Sequence, residues 1–159
     1  MLEIKPIGVI NTPYKELTNM PIQPNGAAEV ISKIIINEEY QDGLSDLSGF
    51  SHIFLIYKFH KVTVEKMKVI PYMDTVERGV FSTRSPLRPN HIGLSVVKLV
   101  SVDKNIVVVK GADVLDGTPL IDIKPYLRNV ECIETAVSGW LKLDRDQIGN
   151  KRSDDRFAK

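Results

Sequence analysis

The run SHIFLIYKFHK at residues 51–61 constrains the fold of this chain most. Branched and aromatic side chains lose rotamer freedom in a helix but pack well on a pleated, half-buried surface. Gly49 marks where the run begins, so residues 51–61 read as a strand. Shorter runs of the same kind recur. Residues 2–10 alternate apolar and polar with Pro6 inside, the pattern of an edge or interrupted strand. Residues 28–37 and 79–82 are strand-like, and residues 94–102 and 105–110 face each other across Asp103-Lys104 as a hairpin. Residues 120–123 form a last short strand after the turn Asp116-Gly117-Thr118-Pro119. Residues 38–49 leave room for one helical turn at 38–41. No stretch carries a long helical period, which argues against a doubly wound α/β sheet.

At 159 residues the chain is expected to form one domain. The expected fold is mainly β: a small antiparallel β-barrel, or else a sandwich, with short helical turns. Residues 1–137 would form the barrel domain. Residues 138–159 are charged, with Trp140, Leu141 and Leu143 as their main apolar groups, and read as a docked or partly ordered C-terminal tail.

A formal net charge of +1 gives no global field that selects nucleic acid or membrane, so an anionic partner must be met by a local patch. The single cysteine, Cys132, excludes an internal disulfide framework and fits a reducing compartment; it reads as a buried small hydrophobe rather than a nucleophile. The first residues lack a signal peptide's apolar run, and no run is long enough to span a bilayer, so a cytoplasmic protein is expected. There is no G-x-G, no phosphate loop and no G-x-S-x-G. His52, His60 and His91 have no metal-ligand spacing, and no metal is expected.

The chemistry that remains is in loops. Between residues 82 and 92 lie Arg84, Ser85, Pro86, Arg88, Pro89, Asn90 and His91, a proline-stiffened polar segment held between strand-like runs. Arg84 carries a planar fork that pairs with a carboxylate or a phosphate; a surface ion pair is the competing use. Arg88 has the same choice.

Three strings taken together carry more than each alone: FSHIFLIYKFHK (50–61), GVFSTRSPLRPNHIGLS (79–95) and DVLDGTPLIDIKPY (113–126). With IGVINTPYK at residues 7–15 and IQPNG at 22–26, the chain resembles the TrmO/YaeB/VirR family of S-adenosylmethionine-binding proteins. The resemblance implies a β-barrel methyltransferase, dimeric, that methylates N6 of threonylcarbamoyladenosine beside the anticodon of tRNA. It implies S-adenosyl-L-methionine as cofactor, held by Gln23, Pro24 and Asn25, by His60 and Lys61, by Arg84, and by Asp116, Gly117, Thr118 and Pro119. His91 stands where the family often has proline, and only a short segment follows Tyr126 where bacterial members continue into a second domain. A sensor or regulator that binds the cofactor without transferring methyl is the alternative.

The acceptor nitrogen is conjugated to a carbonyl, so a base or polarising donor would help it react. His91, His60, Asp116 and Asp122 are the candidates, and the sequence does not rank them. Phosphate contacts would come from Lys58, Lys61, Lys66 and Lys68, and from Arg78, Arg88, Lys124 and Arg128, with Tyr14, Tyr72 and Tyr126 available for stacking on a base.

Overall fold

A computed structural model describes residues 1–22 and 24–157. Among the described residues the strands are β1 (Gly8–Asn11), β2 (Ile31–Ile36), β3 (His52–Lys58), β4 (Lys68–Val69), β5 (Arg78–Gly79), β6 (Ile92–Asp103), β7 (Ile106–Lys110) and β8 (Thr118–Pro125). Two short helices follow, α1 (Arg128–Glu131) and α2 (Arg145–Asn150). Six strands close an antiparallel barrel in the order β1-β2-β7-β6-β3-β8, with β8 pairing back to β1. Closure leaves these six strands without a free edge. The β4–β5 pair is a separate two-stranded ribbon. No described helix is long and apolar enough to cross a membrane.

Period-2 patterning explains the barrel. Along β3, Ile53, Leu55 and Tyr57 point inward and are buried, while their neighbours are part-exposed. Ile10, Ile34, Ile36, Val97, Val107, Val109 and Leu120 fill the same interior. A second cluster, Val62, Val69, Val80, Leu87 and Phe157, lies beneath the β4–β5 excursion, with Phe59 and Tyr72 packed against it. Phe59 packs on both clusters, so the excursion is anchored to one end of the barrel.

Several elements differ from the sequence expectation. Of the run at 2–10 only residues 8–10 pair as strand, the start of β1, and β2 ends at Ile36 opposite Gly8. Most of the strand-like run at 79–82 is a 3-10 turn, Val80–Ser82, closed by Thr83 N–H and Thr83 Oγ1 donating to the Val80 carbonyl. Cys132 is exposed, not buried, because it caps α1 outside the barrel. The β6–β7 hairpin turns on Lys104 and Asn105, Lys104 taking φ 52.

The C-terminal segment folds back on the chain. Asp144 opens α2 with a capping box, its carboxylate accepting from Gln147 N–H at 2.8 Å while the Gln147 side chain accepts from Asp144 N–H at 2.9 Å. Beyond α2, Ser153 Oγ accepts from Met20 N–H at 2.7 Å and donates to the Leu17 carbonyl at 2.8 Å. Phe157 then enters the second cluster, its ring edge-on to Tyr72 at 4.7 Å.

Candidate functional site

A cleft of about 1370 Å³ opens where the barrel end, the arginine-bearing loop and the C-terminal segment meet. Pockets that hold one drug-sized ligand are roughly 300–1,000 Å³, so this cleft is larger than a single-ligand pocket. Its floor is the inner end of β3 and β6. There the Tyr57 hydroxyl lies 2.9 Å from Ser95 Oγ, and Ser95 Oγ donates to the Asp113 carboxylate at 2.6 Å. Ser95 accepts from Tyr57 to complete the chain of donors, consistent with burial pushing the Tyr57 hydroxyl pKa well up. Tyr57 is 4% and Ser95 2% exposed, so these polar groups stay inside the barrel only because they satisfy one another.

The glycine of the I-G-L-S string permits this network. Gly93 pairs with Tyr57 across β3 and β6, and a Cβ at Gly93 would lie 2.6 Å from Tyr57 Cζ and 2.9 Å from Phe59. Only a residue with no side chain lets the phenol ring lie against β6 and reach Ser95. Opposite Tyr57 the β3–β8 register slips, the kind of irregularity that re-aims side chains beside sites.

Asp113 is the residue that sequence reasoning missed. Burial pushes its carboxyl up to about 6, against the opposing effects of the Ser95 hydrogen bond and the Arg84 charge. Arg84 lines the same cleft, and its charge acts on both Asp113 and Tyr57. The available signal was the D-V-L-D pair of acids, but only barrel closure shows which of the two faces the cleft.

The structure divides the expected site residues. Asn25, His60, Lys61, Arg84 and Thr118 line the cleft. Gln23 lies outside the described residues, as does the side chain of Pro24, whose backbone opens the 3-10 turn Pro24–Ala27. The side chain of Asn25 donates to the Arg145 carbonyl at 2.8 Å, so it ties this turn to α2. His60 is held below its usual range by burial, with the Lys61 charge adding to the effect, and is neutral at pH 7. Asp116, Gly117 and Pro119 do not line the cleft. Asp116 accepts from Lys15 Nζ at 2.6 Å and Thr12 N–H at 3.0 Å, and the Lys15 bond holds its carboxyl below the usual range. Gly117 takes φ 79 and donates to the Ile10 carbonyl at 2.9 Å, so this turn stitches β8 to β1. Asp122 pairs with Lys124 at 3.2 Å, also away from the cleft.

Two further loop residues have structural work. Arg88 lines the cleft, but its guanidinium donates to the Thr83 carbonyl at 2.8 Å, buckling its own loop. His91 is 8% exposed and lies off the cleft; its Nδ1, as donor, bonds the Pro86 carbonyl at 2.9 Å. Asn90 and His91 take φ 65 and φ 50, a left-handed pair that costs an ordinary residue about 1 kcal/mol or more. His91→Ala should therefore lower stability by about 1–3 kcal/mol in urea unfolding, through the lost buried hydrogen bond. His91→Gly should lose less, because glycine relieves the strain.

The tRNA-methyltransferase O N-terminal domain model matches residues 9–132. A probable S-adenosyl-L-methionine-binding protein of Pyrococcus abyssi is 43% identical over 157 residues, covering 99% of this chain and 85% of that protein. A tRNA (adenine(37)-N6)-methyltransferase of Mus musculus is 36% identical over 135 residues, covering 80% of this chain and 31% of its own length. The crystal structure of TrmO from Pseudomonas aeruginosa superposes with a TM-score of 0.75 at 31% identity, covering 88% of this chain. This chain spans 62% of that TrmO chain. With most of its length inside the matched region and the same closed barrel, the chain belongs to the tRNA-methyltransferase O N-terminal domain family.

Proposed function

We propose that this protein transfers a methyl group from S-adenosylmethionine to N6 of an adenosine beside the anticodon of tRNA, with threonylcarbamoyladenosine as the acceptor nucleoside. The observation that carries the reading is that Asp113 and Arg84 line one large cleft, near enough for the Arg84 charge to act on the Asp113 carboxyl. The residues suit the cofactor. Its zwitterionic tail needs a cation and hydrogen-bond acceptors, supplied by Arg84, Lys61 and backbone carbonyls. Its adenine needs an apolar slot, for which Phe59, Val62 and Leu115 line the cleft. When bound, the cofactor supplies a methyl group on a positively charged sulfur with a good leaving group.

The chain's own part is to align the acceptor, exclude water and take a proton. In-line alignment can supply roughly 7–11 kcal/mol of the barrier in favourable cases. Asp113, at about 6, is mostly ionised at pH 7 yet basic enough to accept the N6 proton, the match a general base needs. His60, neutral at that pH and on the same cleft, is the second proton acceptor. Homodimerisation in the cytoplasm belongs to the same reading, and sedimentation checks the first part of it.

Arg84→Ala should weaken S-adenosylmethionine binding about tenfold or more in calorimetry, as loss of a charge-assisted contact does; an unchanged Kd would remove Arg84 from the cofactor. The name of the Pyrococcus abyssi relative favours a second reading, cofactor binding without transfer. Methyl-labelled S-adenosylmethionine incubated with the protein and bulk tRNA decides between them. Label retained on tRNA supports the enzyme, whereas calorimetric binding with no label on any tRNA supports the sensor.

A further inference from the structure

Trp140 and Phe81 are two rings that line the cleft and belong to neither the barrel core nor the second cluster. Phe81 follows Val80 in the 3-10 turn Val80–Ser82; Val80 is buried, and the turn leaves Phe81 74% exposed while it lines the cleft. Trp140 reaches the same region from the C-terminal segment, beyond the residues 9–132 that match the family. Its indole Nε1 donates to the Ser82 carbonyl at 2.8 Å, and the Arg78 guanidinium lies 5.6 Å from the ring centroid. Arg78 is braced in turn by Asp74 at 2.7 Å. A ring anchored by its edge and by a cation loses little further freedom when something planar stacks on it.

We infer that Trp140 and Phe81 are the stacking platform for the acceptor's nucleobase, resting on the methyl-transfer reading above. Three observations select a base. The cleft is larger than a single-ligand pocket, the rings carry no net charge, and Arg88 and Arg145, which the cofactor reading does not use, line the same cleft, where phosphates of a flanking strand would be met. A base turned out of its stack is recognised by this combination of aromatic faces and nearby cations. The C-terminal segment thereby completes the acceptor side, while the barrel end carries Asp113.

Trp140 is the one tryptophan of the chain, so intrinsic emission reports on this position alone. The titrant is a synthetic anticodon stem-loop RNA with adenosine 3′ to the anticodon; the control carries an abasic site there. The stem-loop should quench Trp140 emission, and the abasic RNA should bind, by anisotropy of a labelled copy, with little quenching. S-adenosylmethionine alone should leave the emission nearly unchanged. In steady-state transfer Trp140→Ala and Phe81→Ala should each raise KM for the stem-loop roughly 5- to 150-fold, the range of one lost base–aromatic stack. The Kd for S-adenosylmethionine should not change. Phe81→Ala also keeps the test independent of folding, because so exposed a ring adds little to the core. Transfer by the wild type with no quenching and unchanged KM in both variants overturns the platform while leaving the methyltransferase reading intact. Equal quenching by S-adenosylmethionine alone also overturns it, assigning the rings to the cofactor. A wild type that neither binds nor methylates RNA overturns both.

Discussion

Asp113→Asn should lower the methyl-transfer rate by roughly 10²- to 10⁴-fold, the contribution of a positioned general base, and at the same time make the folded protein more stable at neutral pH. Burial is the main reason the Asp113 carboxyl titrates near 6 rather than 3.8. Between those values the folded state holds a proton that the unfolded state has lost. Stability from this group is therefore fully present below about pH 4, falls as pH rises toward 6, and is flat above. A shift of this size corresponds to at most about 3 kcal/mol of stability lost by pH 7. Asparagine keeps an oxygen for the Ser95 hydroxyl but never ionises, so the variant should recover part of that energy and lose the slope between pH 4 and 6. Urea unfolding across that interval, beside a transfer assay, checks both halves. Equal activity, or an unchanged slope, would take Asp113 out of the proposed chemistry.

Gly93→Ala should be the most damaging single-methyl addition near the site. The new Cβ would meet the Tyr57 ring from the paired strand. Both residues are confined between β6 and the barrel interior, so the ring must move and the 2.9 Å contact with Ser95 must break. Overpacking of this kind costs about 1–3 kcal/mol, and leaving buried hydroxyls unsatisfied adds about 1–3 kcal/mol. Tyr57→Phe separates the two terms, since it deletes the hydroxyl and leaves the packing. It should cost about 1 kcal/mol, clearly less than Gly93→Ala in the same denaturant titration. If the two variants are equally stable, Tyr57 is not held as described.

Much of the barrel was legible because burial on one face writes itself into sequence as alternation. In β3 and β7, however, the sequence shows a dense run of branched and aromatic residues, and the alternation is in their burial, as at Ile53, Leu55 and Tyr57. The run at 79–82 misled because Val80 and Phe81 are both apolar yet serve different ends, one buried and one exposed. A 3-10 turn separates them, and no two-residue period records it. The site was legible where loops carry unusual residue types, as with Arg84, and illegible where function depends on what a residue faces. Asp116 drew attention through its turn, but its carboxylate is committed to Lys15 and Thr12. Asp113, three positions earlier, looked ordinary; its environment is built by Ser95 and Arg84, which only strand pairing and loop closure bring to it. Trp140 read as an apolar remnant of a charged tail because its partner, Ser82, lies on a distant loop.

The most direct measurement is to incubate the protein with methyl-labelled S-adenosylmethionine and tRNA from cells lacking the endogenous activity, digest the tRNA to nucleosides and identify the labelled product by mass spectrometry. The account predicts label in N6-methylated threonylcarbamoyladenosine, appearing roughly 10²- to 10⁴-fold more slowly with Asp113→Asn. Label in a different nucleoside, or none while the cofactor binds, would contradict it.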